Sequence, residues 1–300
     1  MADTVPSSAK CVIIGAGIVG NCLAGHLARL GWTDLVLLDK GPLPNPGGST
    51  GHASNLIFPV DHNKEMALLG VQSANQYREL DRSVDSGGIE VARTQERWDE
   101  LQRRMTSATA WGVEASLLSP AEVKELVPFI NDEVILGGFY CPTVSVVDSL
   151  DTGTLFRQEA IDKTGMQVFA NTEVLDVETE PEPGTGLQKV TAVVTDKGRI
   201  ECEYAVIACG VWSNRIANMA GATIPLVPAV HQMADVGPID VLAETNNEIG
   251  YPIVRDMDTF CYERQSAGSM EVGSYAHRPI LHHPDEIPSV SYTHLRAHET

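Results

Sequence analysis

The sequence predicts an α/β fold, and the segment from residue 12 to residue 39 is the main reason. An apolar run at residues 12–14 breaks into the glycine-rich stretch GAGIVG at residues 15–20. Apolar residues then recur at helical spacing over residues 23–30, and a second apolar run, Leu35–Leu38, ends at the acid Asp39. Strand, tight turn, helix and strand follow one another here as they do in a dinucleotide-binding βαβ unit of the Rossmann type.

The spacing of the three turn glycines has a chemical reason. Gly15 permits the sharp turn, Gly17 lets the backbone approach a pyrophosphate, and Gly20 lets the helix pack against the strand. The free N–H groups at the start of the helix then stabilise the phosphates. Asp39 follows Gly20 by 19 residues, where a carboxylate accepts the hydroxyls of the adenosine ribose. We therefore predict a dinucleotide site without a 2′-phosphate.

Further elements predict that this nucleotide-binding domain is discontinuous. Helical spacing or capping predicts helices at residues 66–80, 95–112, 120–126 and 150–164. Apolar runs predict strands at residues 87–92, 135–140, 167–177, 189–195 and 199–209, and short β-rich runs follow from residue 224 onward. We predict a Rossmann-like domain at 8–84 and 148–222, with an inserted antiparallel-sheet substrate domain at 85–147 and 223–289.

Two local signals are specific. Ser119-Pro120-Ala121-Glu122 is a capping box with proline at the first helical position, so we expect a helix to begin at Pro120. The loop at residues 40–56 is so rich in Pro and Gly that it excludes regular structure, and we expect it to lie against the bound nucleotide.

The composition excludes several classes of partner. A formal net charge of −19 argues against nucleic acid and against anionic membrane surfaces, and no apolar run approaches the roughly 20 residues of a membrane span. The six cysteines form no C-x-x-C pair, so we expect reduced thiols and no metal site. The N-terminus shows no leader pattern, and we predict a cytoplasmic protein, or a mitochondrial-matrix one if the source is eukaryotic.

The last residues, 290–300, stand apart from the rest. They resemble the in-frame translation of a common sequencing-library adapter. We expect the native reading frame to stop near Ser289, so His294 and His298 are left out of the candidate ligands and bases.

With these residues identified, the chain resembles the flavin-dependent dimethylglycine and sarcosine dehydrogenase or oxidase family, among the amine-oxidising flavoproteins related to D-amino-acid oxidase. The matching stretches run from about Lys10 to Ser289 and are VIIGAGIVG, VLLDKGPLPNPGGSTGHA, ATAWGVEASLLSPAE, EVLDVE, VIACGVWS, PLVPAVHQ and GSYAHRP. GGST-x-HA, HQ and GSYAHRP are more specific than the nucleotide fingerprint. Asn55 stands where the family commonly has glycine, and residues 143–148 differ from its usual Pro-x-Asp-Gly run.

The resemblance implies FAD as the cofactor. Its contacts carry over to the pyrophosphate turn, the ribose acid, the glycine-rich loop and the adenine strand, namely Gly15, Gly17, Ile18, Val19, Gly20, Asp39, Lys40, Ser49, Thr50, Leu56 and Val174. His52 matches the histidine that the family bonds covalently to the flavin 8α-methyl group. Tetrahydrofolate is a further cofactor implied for a C-terminal region that this chain lacks.

The resemblance also implies a reaction, the oxidative N-demethylation of a small N-methyl amino acid. His231 and Tyr262 match the two residues that the family places beside the substrate. A hydride leaves the N-methyl carbon for the flavin, and water or a folate captures the resulting iminium. The substrate carboxylate needs a cation, for which Arg255, Arg264 and Arg278 are the candidates.

Two other functions stay open at this point. A related flavoprotein acting on another amine or a polyol would keep the nucleotide motifs but not HQ and GSYAHRP. A non-catalytic relative, similar to the regulatory subunit of pyruvate dehydrogenase phosphatase, would keep the fold as an interaction protein. The electron acceptor, oxygen or an electron-transfer flavoprotein, is open as well.

The resemblance finally implies that the nucleotide domain is completed by a strand and a helix after the substrate domain. No second stretch of that kind follows residue 275. We expect residues 1–300, expressed alone, to be poorly soluble or to bind FAD weakly and without turnover, because an unpaired sheet edge associates with other chains.

Overall fold

The structure is a computed structural model that describes residues 4–60, 62–243 and 248–287. The predicted adapter-like tail at 290–300 lies outside these residues. The helices are α1 (Ile18–Arg29), α2 (Lys64–Glu79), α3 (Gln95–Trp111), α4 (Pro120–Leu126), α5 (Ser149–Thr164), α6 (Ser213–Met219) and α7 (Asp240–Ala243).

The strands are β1 (Ser8–Ile14), β2 (Leu35–Leu38), β3 (Leu56–Ile57), β4 (Ser83–Asp85), β5 (Gly88–Ala92), β6 (Ser116–Leu118), β7 (Gly137–Cys141), β8 (Ser145–Val147), β9 (Gln167–Phe169), β10 (Val174–Pro181), β11 (Gln188–Thr195), β12 (Gly198–Ile207), β13 (Ala229–Val230), β14 (Gln232–Val236), β15 (Ile253–Asp256), β16 (Cys261–Ser266), β17 (Ser269–Ser274) and β18 (Ile280–Leu281). Within the described ranges, no helix is long and apolar enough to cross a membrane.

The chain forms two compact units. Unit 1 comprises the described residues within 1–53, 149–230 and 280–300, and unit 2 comprises those within 54–148 and 231–279. The predicted fold class is confirmed, because unit 1 contains a parallel Rossmann-like sheet and unit 2 contains a mainly antiparallel one.

Unit 1 is built on a six-stranded sheet of order β10-β11-β12-β1-β2-β9. The four strands from β12 to β9 are parallel, while β10 and β11 extend the sheet as an antiparallel hairpin. Strands β1 and β2 are apolar runs because both faces of the sheet are covered. Helices α1 and α5 pack closely at Gly25, where a Cβ would lie 2.6 Å from a ring carbon of Phe156.

Unit 2 is built on a seven-stranded sheet of order β14-β17-β16-β15-β5-β7-β6. Its pairs are antiparallel except for β15 with β5. Helix α3 contributes Leu101 and Ala108 to one apolar cluster of this unit, and α4 contributes Val123 to another. A small second sheet has the order β3-β8-β4.

The structure differs from the sequence prediction in two places. The predicted strand at 167–177 is wrong as one element, because the chain turns at Asn171, with φ at 51°, and forms β9 and β10 instead. The predicted domain boundary at residue 84 also differs from the division of the structure at residue 53. Residues 54–85 belong to unit 2 because β3 and β4 pair with β8.

Candidate active site

The glycine-rich turn of unit 1 leaves no room for side chains at two of its glycines. Gly15 has φ at 107°, and a Cβ there would lie 2.4 Å from the carbonyl oxygen of Ala208. A Cβ at Gly20 would lie 1.9 Å from the carbonyl oxygen of Gly15. These close backbone approaches give β1, the turn and α1 their predicted geometry.

The start of α1 is open to a ligand. The N-cap residue Gly17 provides no side-chain cap, and no acid stands in the first turn. Val19 is 67% exposed although it is apolar. The N–H of Ile18 donates to the hydroxyl of Thr50 at 3.0 Å, so the glycine-rich loop reaches the helix start. A positive helix end, free N–H groups and a hydroxyl are the donor set that binds a diphosphate.

Asp39 is tied to the same turn. Its Oδ2 accepts the N–H of Ala16 at 2.7 Å, and its Oδ1 accepts the N–H of Gly41 at 2.8 Å. Burial raises the pKa of this carboxyl, while the two backbone hydrogen bonds lower it. Each carboxylate oxygen has a second lone pair, which leaves acceptors for ribose hydroxyls. Lys40 beside it is exposed and lies 3.8 Å from the carboxylate of Glu173.

The loop that carries Ser49 and His52 is folded on itself. Residues Ser49–Gly51 form one 3-10 turn, and the N–H of His52 donates to the carbonyl of Ser49 at 3.1 Å. A Cβ at Gly51 would lie 2.7 Å from Oδ1 of Asn45, so the loop is tightly packed. Ser49 is exposed and His52 is half-buried, so both can reach a ligand.

Two predicted cofactor contacts, Val174 and Leu56, take part in strand packing or pairing. The side chain of Val174 is buried in the core of the six-stranded sheet, so only its main chain is available to an adenine. Leu56 belongs to unit 2, where it pairs with Val146. Asn55 before it has φ at 56°, which explains why glycine suits this position and why Asn is tolerated there.

The two predicted catalytic residues come together in unit 2. His231 lies immediately before β14, and Tyr262 lies in β16. Their ring centroids are 6.0 Å apart. Tyr275, which follows β17, stacks on His231 with a centroid distance of 3.9 Å and an interplanar angle of 13°. PLVPAVHQ and GSYAHRP therefore meet at this cluster.

The Tyr262 ring has a fixed position. Its hydroxyl shares a short hydrogen bond with the hydroxyl of Ser54, which also contacts the sulfur of Met233 at 3.5 Å. Gly273 lies opposite Tyr262 in the register of β16 and β17. A Cβ at Gly273 would lie 2.1 Å from the Tyr262 ring, so the glycine of GSYAHRP makes room for the tyrosine.

The comparison with known proteins identifies the family of the chain. Residues 10–298 match the family described as DAO, FAD dependent oxidoreductase. The chain belongs to this family. Mitochondrial sarcosine dehydrogenase of Mus musculus is 31% identical over 285 residues, which cover 92% of this chain and 30% of that protein. The mitochondrial pyruvate dehydrogenase phosphatase regulatory subunit of Mus musculus is 31% identical over 284 residues, covering 92% of this chain and 31% of that protein.

A solved structure supports the fold of the chain. L-proline dehydrogenase from P. horikoshii superposes with a TM-score of 0.78 at 23% sequence identity, covering 97% of this chain and 77% of that one. The chain spans about 30% of the length of sarcosine dehydrogenase and of the phosphatase regulatory subunit.

The residues of unit 1 fit FAD. The cradle at Gly15 and Gly20 is filled if any side chain is added, and the start of α1 has donors without an acidic neighbour in its first turn. The chemistry of Asp39 matches an adenosine ribose. In the described part of the chain, no group of three or more His, Cys, Asp or Glu residues is arranged to hold a metal ion.

The electrostatics around His231 and Tyr262 in unit 2 favour uncharged rings. Burial lowers the pKa of His231, and the neighbouring His277 lowers it further. Burial raises the pKa of Tyr262, against the effect of the Ser54 hydrogen bond. At neutral pH His231 is therefore a neutral acceptor and Tyr262 a protonated donor.

The sequence did not predict several residues of this cluster. Ser54 contacts Tyr262, Gly273 makes room for its ring, and Met233 contacts Ser54, so the three residues come from distant segments. Tyr275 and Gly273 belong to the GSYAHRP motif, but their contacts with His231 and Tyr262 follow only from the structure. No sequence signal identifies Ser54.

Proposed function

We propose that this protein uses FAD to oxidise the N-methyl C–N bond of a small N-methyl amino acid, with sarcosine and dimethylglycine as the first substrates to test. The observation that carries the proposal is the position of His231 beside Tyr262, whose hydroxyl Ser54 holds in place. The similarity to sarcosine dehydrogenase supports it.

His231 would accept a proton or a hydrogen bond from the substrate amine. An amine must be unprotonated before its carbon can lose a hydride, and a neutral imidazole is a suitable acceptor near pH 7. The stacked Tyr275 fixes the plane of the imidazole.

Tyr262 would orient the substrate. Its hydroxyl is hydrogen-bonded to Ser54. The ring occupies the space that a side chain at position 273 would fill, so Gly273 helps to define its position. A phenol that stays protonated can donate a hydrogen bond without adding charge to the site.

FAD, when bound, supplies the hydride acceptor. The residues that would hold it in unit 1 are the glycine turn, the start of α1 with Ile18 and Val19, Asp39, and the loop with Ser49 and Thr50. The chain's own contribution there is to bind and orient the diphosphate and ribose.

Covalent attachment of FAD through His52 is part of the proposal. The half-buried imidazole ends the packed 3-10 turn beside Thr50, which contacts α1. Denaturing the full-length gene product in acid and separating it on a gel should leave flavin fluorescence in the protein band. His52→Ala should remove that fluorescence and leave the fold intact. A wild-type band without fluorescence rejects the attachment.

The direct test of the reaction is anaerobic. We expect the full-length gene product to be yellow and to bleach when sarcosine or dimethylglycine is added without oxygen. Reoxidation by oxygen, or only by an electron-transfer flavoprotein, then distinguishes an oxidase from a dehydrogenase.

A regulatory role is the second candidate, because the phosphatase regulatory subunit is as similar to this chain as sarcosine dehydrogenase is. A yellow protein that no N-methyl amino acid bleaches would favour this role. Bleaching by a different amine or by a polyol would favour another flavoprotein activity.

A further inference from the structure

A pocket of about 190 Å³ lies within unit 2. Helix α3 lines it with Arg97, Glu100 and Arg104, which recur at helical spacing and so share one face. Strand β15 lines it with Arg255. Three guanidinium groups around one small pocket form an environment for an anion.

Two of the three arginines are already paired. Arg104 contacts Glu90 at 2.9 Å and Glu100 at 3.0 Å. Arg97 pairs with Glu100 and lies 3.5 Å from Asp258. These pairs fix the wall of the pocket and neutralise most of its charge.

Arg255 is different. Its Nη1 is 3.9 Å from Glu90, whose same oxygen is held more closely by Arg104. Among the described residues, its Nη2 donates to the sulfur of Met257 at 3.5 Å, and sulfur is a weak acceptor. Its guanidinium lies 4.7 Å from the centre of the Phe58 ring, which orients the planar fork. Several N–H donors therefore remain for a ligand.

The other two candidate cations are less suitable. Arg264 is paired with Glu271 at 3.1 Å, and their side chains are only 13% and 8% exposed. Breaking such a buried pair to bind a ligand is costly. Arg278 is exposed, so water weakens any contact it makes with a carboxylate.

Arg255 also has the right neighbour. It lies directly opposite Tyr262 in the register of β15 and β16, so the two side chains project from the same face of the sheet. A carboxylate bound by Arg255 would therefore lie on the same face of the sheet as Tyr262.

We propose that this pocket binds the carboxylate of a small amino acid, with Arg255 as its bidentate anchor. The geometry of planar guanidinium and planar carboxylate suits two parallel N–H···O hydrogen bonds. The binding of a small carboxylate follows from the pocket alone, whereas its identity as the substrate's carboxylate rests on the proposed function.

Binding is measured first, on the full-length gene product. The thermal unfolding midpoint is measured at increasing concentrations of methylthioacetate, a carboxylate without an amine. A parallel titration with sodium chloride at equal ionic strength is the control. We expect saturable stabilisation by methylthioacetate only. Arg255→Gln should weaken this binding about 10- to 100-fold, as expected for a lost charge-assisted pair. Arg278→Gln, the matched control, should bind like the wild type.

Turnover is measured second. Arg255→Gln should raise KM for sarcosine about 10- to 100-fold while changing kcat less, and N-methylethanolamine, which lacks the carboxylate, should react equally with both forms. Arg255→Lys should retain part of the affinity that Arg255→Gln loses. If Arg255→Gln does not fold, the KM of Arg255→Lys tests the proposal.

The outcomes separate the two proposals. Carboxylate binding that depends on Arg255, without bleaching by any amine, supports the pocket and rejects the proposed function. Bleaching by sarcosine with an unchanged KM in the Arg255 variants overturns the pocket and leaves the function standing. Equal stabilisation by chloride also overturns the pocket.

Discussion

The candidate cofactor site of unit 1 and the candidate catalytic cluster of unit 2 are encoded in different ways. In unit 1 the turn at 15–20, Asp39 and Thr50 lie within 36 consecutive residues, and their geometry follows from backbone rules for glycine and for helix starts. In unit 2 the cluster joins Ser54, His231 and Tyr262, which are far apart in the sequence. That cluster exists only because β14, β16 and β17 pair in one register.

Because of this difference, we expect variants of the two regions to differ in how much they destabilise the fold. A locally encoded turn fails when a single backbone contact fails, because no distant residue can replace it. A cluster assembled across strands can lose one side chain and keep its fold, so its variants should affect chemistry more than stability.

The largest effect is expected at Gly20. Gly20→Ala puts a Cβ 1.9 Å from the Gly15 carbonyl, so β1 and α1 must move apart. We expect a loss of about 3 kcal/mol in the free energy of unfolding and a protein without bound FAD. Denaturant unfolding and the flavin content of the purified protein measure both.

The control is Gly31→Ala. Gly31 has φ at 83° with nothing within 4 Å, so only backbone strain of about 1 kcal/mol is expected. Equal losses at Gly20 and Gly31 would contradict the account of the turn.

A smaller effect is expected at the Tyr262 hydroxyl. Tyr262→Phe leaves the hydroxyl of buried Ser54 without its main partner, which should cost about 1 to 2 kcal/mol. Ser54→Ala should cost a similar amount, and the double variant should be close to either single variant. Additive losses in this double-mutant cycle would show that the two hydroxyls are not coupled.

The next effect is a shift in pH dependence. The electrostatic interaction with His277 is a secondary cause of the lowered pKa of His231, after burial. Lowering the pKa keeps His231 neutral to more acid pH, so His277→Ala should raise that pKa and move the acid limb of kcat/KM to higher pH. His283→Ala, an exposed residue of unit 1, is the control. An acid limb that does not move would exclude His277 from this role.

The smallest effect is expected at the start of α4. The carboxylate of Glu122 accepts the N–H of Ser119 at 2.7 Å, and the hydroxyl of Ser119 accepts the N–H of Glu122 at 3.4 Å. Ser119→Ala should lower the free energy of unfolding by about 1 kcal/mol. Thr106→Ala, on an exposed helix position, should have little effect. The denaturant midpoints of the two variants are compared. Equal losses of stability in both would argue against the cap at Ser119.

The sequence predicted what local chemistry determines. The helix Pro120–Leu126 begins at the predicted capping box, and Gly112 ends α3 in the left-handed conformation. The turn of unit 1 follows from the glycine spacing, since Gly20 lies against the carbonyl of Gly15, and Gly15 lies against the carbonyl of Ala208 after the neighbouring strand.

The sequence did not predict what depends on distant pairing. Strand β8 is three residues long and forms because it pairs with β3 and β4. Arg255 could not be chosen from three arginines, because the choice needs the partners of each guanidinium and the register with Tyr262. The break between β9 and β10 occurs at Asn171, which is in the left-handed conformation. The apolar pattern of this segment did not indicate that conformation.

The central claim is that the cluster of unit 2 performs the amine chemistry, and His231 tests it most directly. The measurement is the anaerobic rate of flavin reduction by sarcosine in a stopped-flow experiment, comparing His231→Ala with the wild-type full-length protein across pH. We expect reduction to slow by about 100-fold or more, with the acid limb lost and the thermal unfolding midpoint nearly unchanged. An unchanged rate and an unchanged pH profile in His231→Ala would contradict the claim.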